Sequence, residues 1–170
     1  LPRSPREAAC DSGLAAEGAG LFDGLYKDLS KLRLFLKFAL DAFDVALVDI
    51  DHFKPINDSY GHDTGDEVLC EVADRLTRLL GSDGFAARLG GDEFIFAVVG
   101  SQEGEARDGL VRALFDAVRE PMMTSSGKIT LSISLGMVAI AGDDLSSRQL
   151  MKYADLAQYR AKQEGRNQWR

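Results

Sequence analysis

The stretch Phe85-Ala86-Ala87-Arg88-Leu89-Gly90-Gly91-Asp92-Glu93-Phe94-Ile95-Phe96-Ala97-Val98-Val99 decides the fold class. Phe85–Leu89 and Phe94–Val99 are short runs suited to strands, the second rich in aromatic and β-branched residues. Between them lies Gly90-Gly91-Asp92-Glu93, a glycine-containing connection of hairpin length. A hairpin makes its two strands antiparallel, which argues against a doubly wound parallel sheet.

Reading outward from the hairpin, Thr64 to Leu80 carries one apolar stripe at helical spacing: Val68, Leu69, Val72, Ala73, Leu76, Leu79 and Leu80. Asp66 and Glu67 favour its N-terminal end, and Gly81 to Gly84 ends it. Asp51 to Asp63 is polar and broken by Pro55 and Gly61, so it holds turns or short helical pieces. Before it, Val45-Ala46-Leu47-Val48-Asp49-Ile50 reads as a buried strand ending in acid, introduced by Asp44. Leu29 to Ala42 has helical spacing, and residues 1–20 read as a linker or frayed helix ahead of a domain over 21–170. On the other side, Glu105–Arg119 is an amphipathic helix stopped by Pro121, and Ile129–Ile140 reads as one long strand. A last helix, capped by Ser146 or Ser147, runs to about Gln163, with Gly165 as its stop. The expectation is an α/β (α+β) sandwich: a central, mostly antiparallel sheet of about five strands wrapped by helices.

At 170 residues the chain suits a single domain, and 45% hydrophobic residues suffice for one core without disulfide staples. The net charge of −7 disfavours sequence-independent nucleic-acid binding, which relies on a basic face. It leaves room for a nucleotide held by a metal ion and a few local cations. Two cysteines, Cys10 and Cys70, make no disulfide framework, which favours a reducing compartment. No apolar run reaches the ~18 residues of a membrane-spanning helix. The start has neither an apolar signal region nor an initiator Met, as in a piece of a longer chain.

Three groups of residues carry potential chemistry. Asp49 closes one strand while Asp92 and Glu93 sit in the Gly90-Gly91 turn; two loops meeting at a sheet edge can offer a hard dication its oxygen ligands. The plain alternative is a strand cap and two solvated turn residues. Lys54, Asn57, His62 and Asp66 follow the first strand. Asn and Asp can read a base edge that presents N–H groups, and Lys54 can bond a phosphate; the alternative is turn chemistry. Lys162 and Arg166, with Asn167, end the last helix, where the helix dipole alone favours cations.

Together these residues match a family. Asp49-Ile50-Asp51-His52-Phe53-Lys54-Pro55-Ile56-Asn57-Asp58-Ser59-Tyr60-Gly61-His62-Asp63-Thr64-Gly65-Asp66 resembles the DxDxFKxxND…GHxxGD segment of GGDEF domains. Arg88 to Phe94 reproduces the signature that names them. Ser132-Ile133-Ser134-Leu135-Gly136 resembles their SIG strand with one residue interposed. Ala154 to Lys162 and Gly165-Arg166-Asn167 resemble the closing ADxALYxAK…GRN segment. The resemblance runs from about Leu21 to the C-terminus.

It implies a diguanylate cyclase with a palm-like fold similar to adenylyl cyclases, condensing two GTP into cyclic di-GMP and releasing two pyrophosphates. By position, Asp49, Asp92 and the Ile50 carbonyl would ligate Mg²⁺ (or Mn²⁺), and two metal ions could stabilise the attacking and leaving oxygens. Asn57 and Asp66 would read guanine, with His62 beside them. Phe53, through its backbone, Lys54, Lys162 and Arg166 would hold phosphates. Glu93 would activate the 3′-hydroxyl, and Gly90 and Gly91 would keep the turn open for nucleotide. The resemblance further implies a catalytic homodimer, an upstream sensor or adjacent signalling domain, and a bacterial cytoplasmic setting, with a membrane tether through upstream sequence left open.

Two departures stand out. Where the family often has an RxxD product-inhibition site, this chain has Gly81-Ser82-Asp83-Gly84, so that site is expected to be absent. The opening LTGLxNR segment is altered to Phe22-Asp23-Gly24-Leu25-Tyr26-Lys27-Asp28, replacing an Arg by an Asp. That change leaves an alternative: a catalytically impaired GTP-binding domain that regulates an attached phosphodiesterase or another partner.

Overall fold

The computed structural model describes residues 42–81, 84–99, 104–141 and 145–170. The expected linker, the altered opening segment and nearly all of the helix expected over 29–42 lie outside the described residues. Ala42, placed at the end of that helix by its sequence, instead opens a strand.

The elements are β1 (Ala42–Ile50), α1 (Phe53–Tyr60), α2 (His62–Leu80), β2 (Gly84–Gly90), β3 (Glu93–Val99), α3 (Glu105–Arg119), β4 (Met122–Thr124), β5 (Gly127–Ile129), β6 (Ile133–Ala141) and α4 (Ser147–Gln163). The main sheet has the order β2-β3-β1-β6, and every neighbouring pair is antiparallel. The acid-ended strand therefore lies at its centre, with the hairpin on one side and β6 on the other. About five strands were expected in this sheet, and four are present among the described residues. The stretch read as one strand from Ile129 to Ile140 is split: Ile129 closes a separate β4–β5 hairpin, Thr130–Ser132 lies outside any strand, and β6 starts at Ile133.

Strand alternation sorts the core into two layers. Ala46, Val48, Ile50, Phe94, Phe96, Ile133 and Leu135 point to one face and pack with Val68, Val72 and Leu76 of α2 and Leu114 and Val118 of α3. Phe43, Val45, Leu47, Ile95, Ala97 and Ile140 point to the other, where α4 contributes Leu150 and Ala154. Apolar residues on both faces of β1 and β3 are what a sheet covered on both sides requires.

The polar stretch 51–63 resolves into α1, the turn at Gly61, and the first residues of α2. Gly61 has φ 86°, a left-handed value that spares a side chain strain. At α4, Ser146 and Gln149 form a capping box. At its other end Gly165 has φ 115° and the Arg166 N–H donates to the Ala161 carbonyl at 3.0 Å, a Schellman-type stop. The chain then runs beside β6: Leu135 N–H donates to the Gln168 carbonyl, Arg170 N–H to the Leu135 carbonyl, and Met137 N–H to the Arg170 carbonyl. This tail partly covers a sheet edge that would otherwise expose unpaired backbone groups.

Candidate active site

Antiparallel register brings the acids together. Asp49 of β1 is paired directly with Glu93 of β3 on one side and Ser134 of β6 on the other. Residues in register share a face, so Asp49 and Glu93 both stand on the α4 side of the sheet. Asp92 lies in the turn before β3, and the Ile50 N–H donates to its carbonyl at 3.2 Å, which holds the turn against the end of β1. Gly91 (φ 56°) takes the left-handed backbone of that turn, and Arg88 Nε donates to its carbonyl at 2.9 Å. Gly90 is extended well into positive φ, at 155°.

The last helix supplies the cation. Lys162, in the final turn of α4, donates to Asp49 Oδ2 at 2.6 Å from 113 residues away in sequence. Burial nevertheless pushes the Asp49 carboxyl above its ordinary range, and neighbouring Asp92 and Asp51 add to the shift against the pull of Lys162. Glu93 is also raised, first by partial burial and then by Asp49, with Asp92 and Asp155 contributing. Asp49, Asp92, Glu93 and Lys162 thus form one electrostatically coupled group, joining two sets of residues that the sequence alone left separate.

No group of three His, Cys, Asp or Glu side chains among the described residues is arranged to hold a metal ion. The fit to Mg²⁺ is nonetheless chemical: that ion commonly takes one or two carboxylates and completes its shell with water and substrate phosphates. Asp49, Asp92 and the Ile50 carbonyl would offer an all-oxygen set of this kind. A cation is already drawn to Asp49, in the form of the Lys162 ammonium.

The second group lies on α1 and α2. Phe53 is buried and anchors the start of α1. Lys54 is exposed and pairs with Asp58 at 2.7 Å; an exposed pair of this kind is weak, so Lys54 can swing to another anion at small cost. Asn57 is half-buried, Asp66 exposed, and His62 exposed at the first position of α2. Gly65 brings the helices together: a Cβ there would fall 1.9 Å from Asn57 Oδ1. Asn57 and the residue preceding Asp66 are therefore in direct apposition. Arg166 is exposed, with φ 61°, in the turn after α4.

One residue in this region escaped the sequence reading. Asp51 is 4% exposed and accepts three hydrogen bonds, from Ser132 Oγ and Ser134 Oγ at 2.7 Å and from the Asn167 N–H at 3.0 Å. Arg119 of α3 donates to Asn167 Oδ1 at 2.9 and 3.2 Å. Asp51 thus ties the loop after β1 to β6 and to the turn carrying Arg166. A second acid two residues after Asp49 was the available signal, but its partners lie 81 to 116 residues away.

The comparisons with known proteins accord with this geometry. The family described as "Diguanylate cyclase, GGDEF domain" matches residues 32–168. The chain belongs to the GGDEF family. This GGDEF domain is 38% identical over 125 residues to the bifunctional diguanylate cyclase/cyclic di-GMP phosphodiesterase MucR of Pseudomonas aeruginosa, covering 74% of the chain and 18% of that protein. It is 36% identical over 129 residues to the response regulator PleD of Caulobacter vibrioides, covering 75% and 28%. Among solved structures, the GGDEF domain of YfiN (TpbB) from Pseudomonas aeruginosa aligns with a TM-score of 0.73 and 30% identity over 88% of this chain and 91% of that one. The GGDEF domain of DgcB from Caulobacter crescentus, solved in complex with c-di-GMP, aligns with a TM-score of 0.62 and 31% identity over 75% of each chain. The match thus spans about a fifth to a quarter of the length of these two curated relatives, which are larger proteins. No helix among the described residues is long and apolar enough to cross a membrane.

Proposed function

We propose that this GGDEF domain is an active diguanylate cyclase that condenses two GTP molecules into cyclic di-GMP with release of two pyrophosphates. The observation that carries the reading is the convergence of Asp49, Asp92 and Glu93 at one end of the sheet with Lys162 bonded to Asp49. A lone acid pair in turns has a structural explanation. A coupled acid cluster with a cation delivered by a distant helix is the arrangement that phosphoryl chemistry needs.

In this reading Asn57 and Asp66 read the guanine edge, with His62 beside them. The Phe53 backbone, Lys54, Lys162 and Arg166 hold the phosphates, and Gly90 and Gly91 give the nucleotide room. Asp49, Asp92 and the Ile50 carbonyl would hold Mg²⁺ (or Mn²⁺), which would supply charge neutralisation on the phosphates. The bond-forming step is an in-line attack of one nucleotide's 3′-hydroxyl on the α-phosphate of the other, with pyrophosphate leaving. Glu93, paired across the strands with Asp49, takes the proton of the attacking hydroxyl. Positioning and charge stabilisation account for most of the acceleration. Each domain holds one GTP, so two copies face each other, with signalling regions outside this chain controlling their encounter. Gly81 and Gly84 lack the side chains an RxxD product site requires, so we infer no feedback binding there.

Incubation with GTP and Mg²⁺ followed by nucleotide chromatography tests the reading. Cyclic di-GMP that disappears in Asp92→Ala is the expected result. The altered Lys27-Asp28 pair favours a second reading, a GTP-binding regulator of an attached phosphodiesterase or another partner. GTP binding without product, even with two copies fused to a dimerising helix, would establish that alternative in place of the enzyme.

A further inference from the structure

The β4–β5 hairpin takes no part in the chemistry above, yet it is fastened to the helical turn that carries Asp66. Thr64, only 2% exposed, shares a hydroxyl–hydroxyl hydrogen bond of 2.7 Å with Ser126 in the hairpin turn. Glu67 accepts from the Ser125 N–H, also at 2.7 Å. Between these anchors Gly65 lies flush against the Asn57 carboxamide. Of the consecutive residues 64 to 67, two are tied to the hairpin, one abuts Asn57, and the remaining one is Asp66.

The hairpin is a firm support. A two-stranded hairpin alone is marginal in water, but Met122 and Ile129 pair across it and are both buried in the main core. Its turn is closed by Thr124 Oγ1 donating to the Gly127 carbonyl at 2.7 Å. Ser125 and Ser126 therefore hold the start of α2 from a base anchored in the rest of the fold.

We propose that the hairpin tip, through Ser125 and Ser126, sets the spacing between Asn57 and Asp66 and so specifies guanine over other purines. This rests on the preceding assignment of those two residues to the base. Ser126, Thr64 and Glu67 are positioning residues. A site built to bond particular N–H groups discriminates only while its acceptors are held in place. When the hairpin lets go, the first turn of α2 drifts, and contact with the guanine 2-amino group is lost before contact with the phosphates.

The test uses the full chain with Mg²⁺ and two nucleotides that cannot release pyrophosphate: α,β-methylene GTP and its inosine counterpart, which lacks the 2-amino group. Calorimetry gives both affinities for wild type, Thr64→Val, and Ser126→Ala with Glu67→Ala; thermal melts confirm folding. The double variant is expected to lose about ten-fold in affinity for the guanine nucleotide and less than about two-fold for the inosine one, the scale of a lost hydrogen bond. Thr64→Val should move the ratio in the same direction, and Ser126→Thr should keep it at wild type. A guanine-to-inosine ratio unchanged in the variants, or an equal loss for both nucleotides, overturns the inference while leaving the base assignment standing. A wild type that binds both nucleotides equally, or neither, removes the assignment itself and this inference with it.

Discussion

Asp49 and Glu93 stand opposite each other on neighbouring strands, and Asp49 makes the ionisation of Glu93 harder. For Glu93 the upward shift begins with partial burial, followed by Asp49. A carboxyl that protonates more readily in the fold than in the unfolded chain contributes stability below its ordinary value of 4.5, and that contribution is lost as pH rises through the raised value. In the metal-free protein, Glu93→Gln should therefore melt with wild type at about pH 3.5, well below the ordinary value of 4.5, and above wild type by about pH 7. The gain should be small, because the side chain keeps solvent access. The same variant should lose turnover. Melts across this pH range with EDTA present check the point; a variant less stable at neutral pH would mean that Glu93 stabilises the fold. Gln158 is a different kind of residue. It is 3% exposed on α4, and its Nε2 has no hydrogen-bond partner among the described residues. A buried donor left unpaired costs about 1–3 kcal/mol. Gln158→Leu is similar in volume and removes the orphan, so it should raise the melting temperature by about 3–6 °C. Calorimetric melts decide it, and an unchanged or lower value would imply a partner for this amide in solution.

α4 packs closely on β6 at Gly136. A Cβ on Gly136 would fall 2.2 Å from both the Ala154 carbonyl oxygen and the Gln158 nitrogen, so any side chain must push the helix off the sheet. Lys162 rides on that helix one turn beyond Gln158, and Asp49 lies two residues along β1 from Leu47, the register partner of Gly136. Gly136→Ala should thus destabilise the fold by about 1–3 kcal/mol, as overpacking does, and lower turnover beyond the loss of folded protein by drawing Lys162 from Asp49. Turnover normalised to the folded fraction separates the two effects; full activity per folded molecule would show that this contact does not set the lysine. The same elements explain what could be read in advance. The hairpin, the α2 stripe and the capped α4 are local patterns, and their periods and turn residues appear within a dozen or so positions. The break between β5 and β6 is not local. Thr130-Leu131-Ser132 alternates as a strand does, and the Asp51 N–H still donates to the Ser132 carbonyl in the β1–β6 register, but β1 ends at Ile50, so its ladder gives Thr130 and Leu131 no partner. The tail beside β6 has too few residues to show a period. In the site, motif spacing exposed the charged groups. The contacts that fix them, Asp51 to Asn167 and Thr64 to Ser126, join segments whose only common feature is their proximity after folding.

At the scale of the whole molecule, the proposed site offers, among the described residues, one acid cluster and one set of cations for phosphate, enough for a single nucleotide per chain. The proposed product contains two equivalent phosphodiester links, each made by a hydroxyl on one nucleotide and a phosphate on the other. Two identical half-sites related by a two-fold axis meet that demand with no further residues. The net charge of −7 opposes such pairing, because two like-charged copies repel at long range and more so at low salt. The encounter should therefore be transient in dilute solution, and turnover per chain should rise with protein concentration. At low concentration the rate should scale with the square of the chain concentration, then become proportional to it once dimers dominate. Moderate salt should move that crossover to lower concentration by screening the repulsion, against any weakening of nucleotide binding measured separately. Fusion to a dimerising coiled coil should remove the dependence altogether. Initial rates of pyrophosphate release over a hundred-fold dilution series test this directly. A rate per chain that stays constant on dilution, with the protein monomeric throughout by sedimentation, would show that one domain completes the reaction alone.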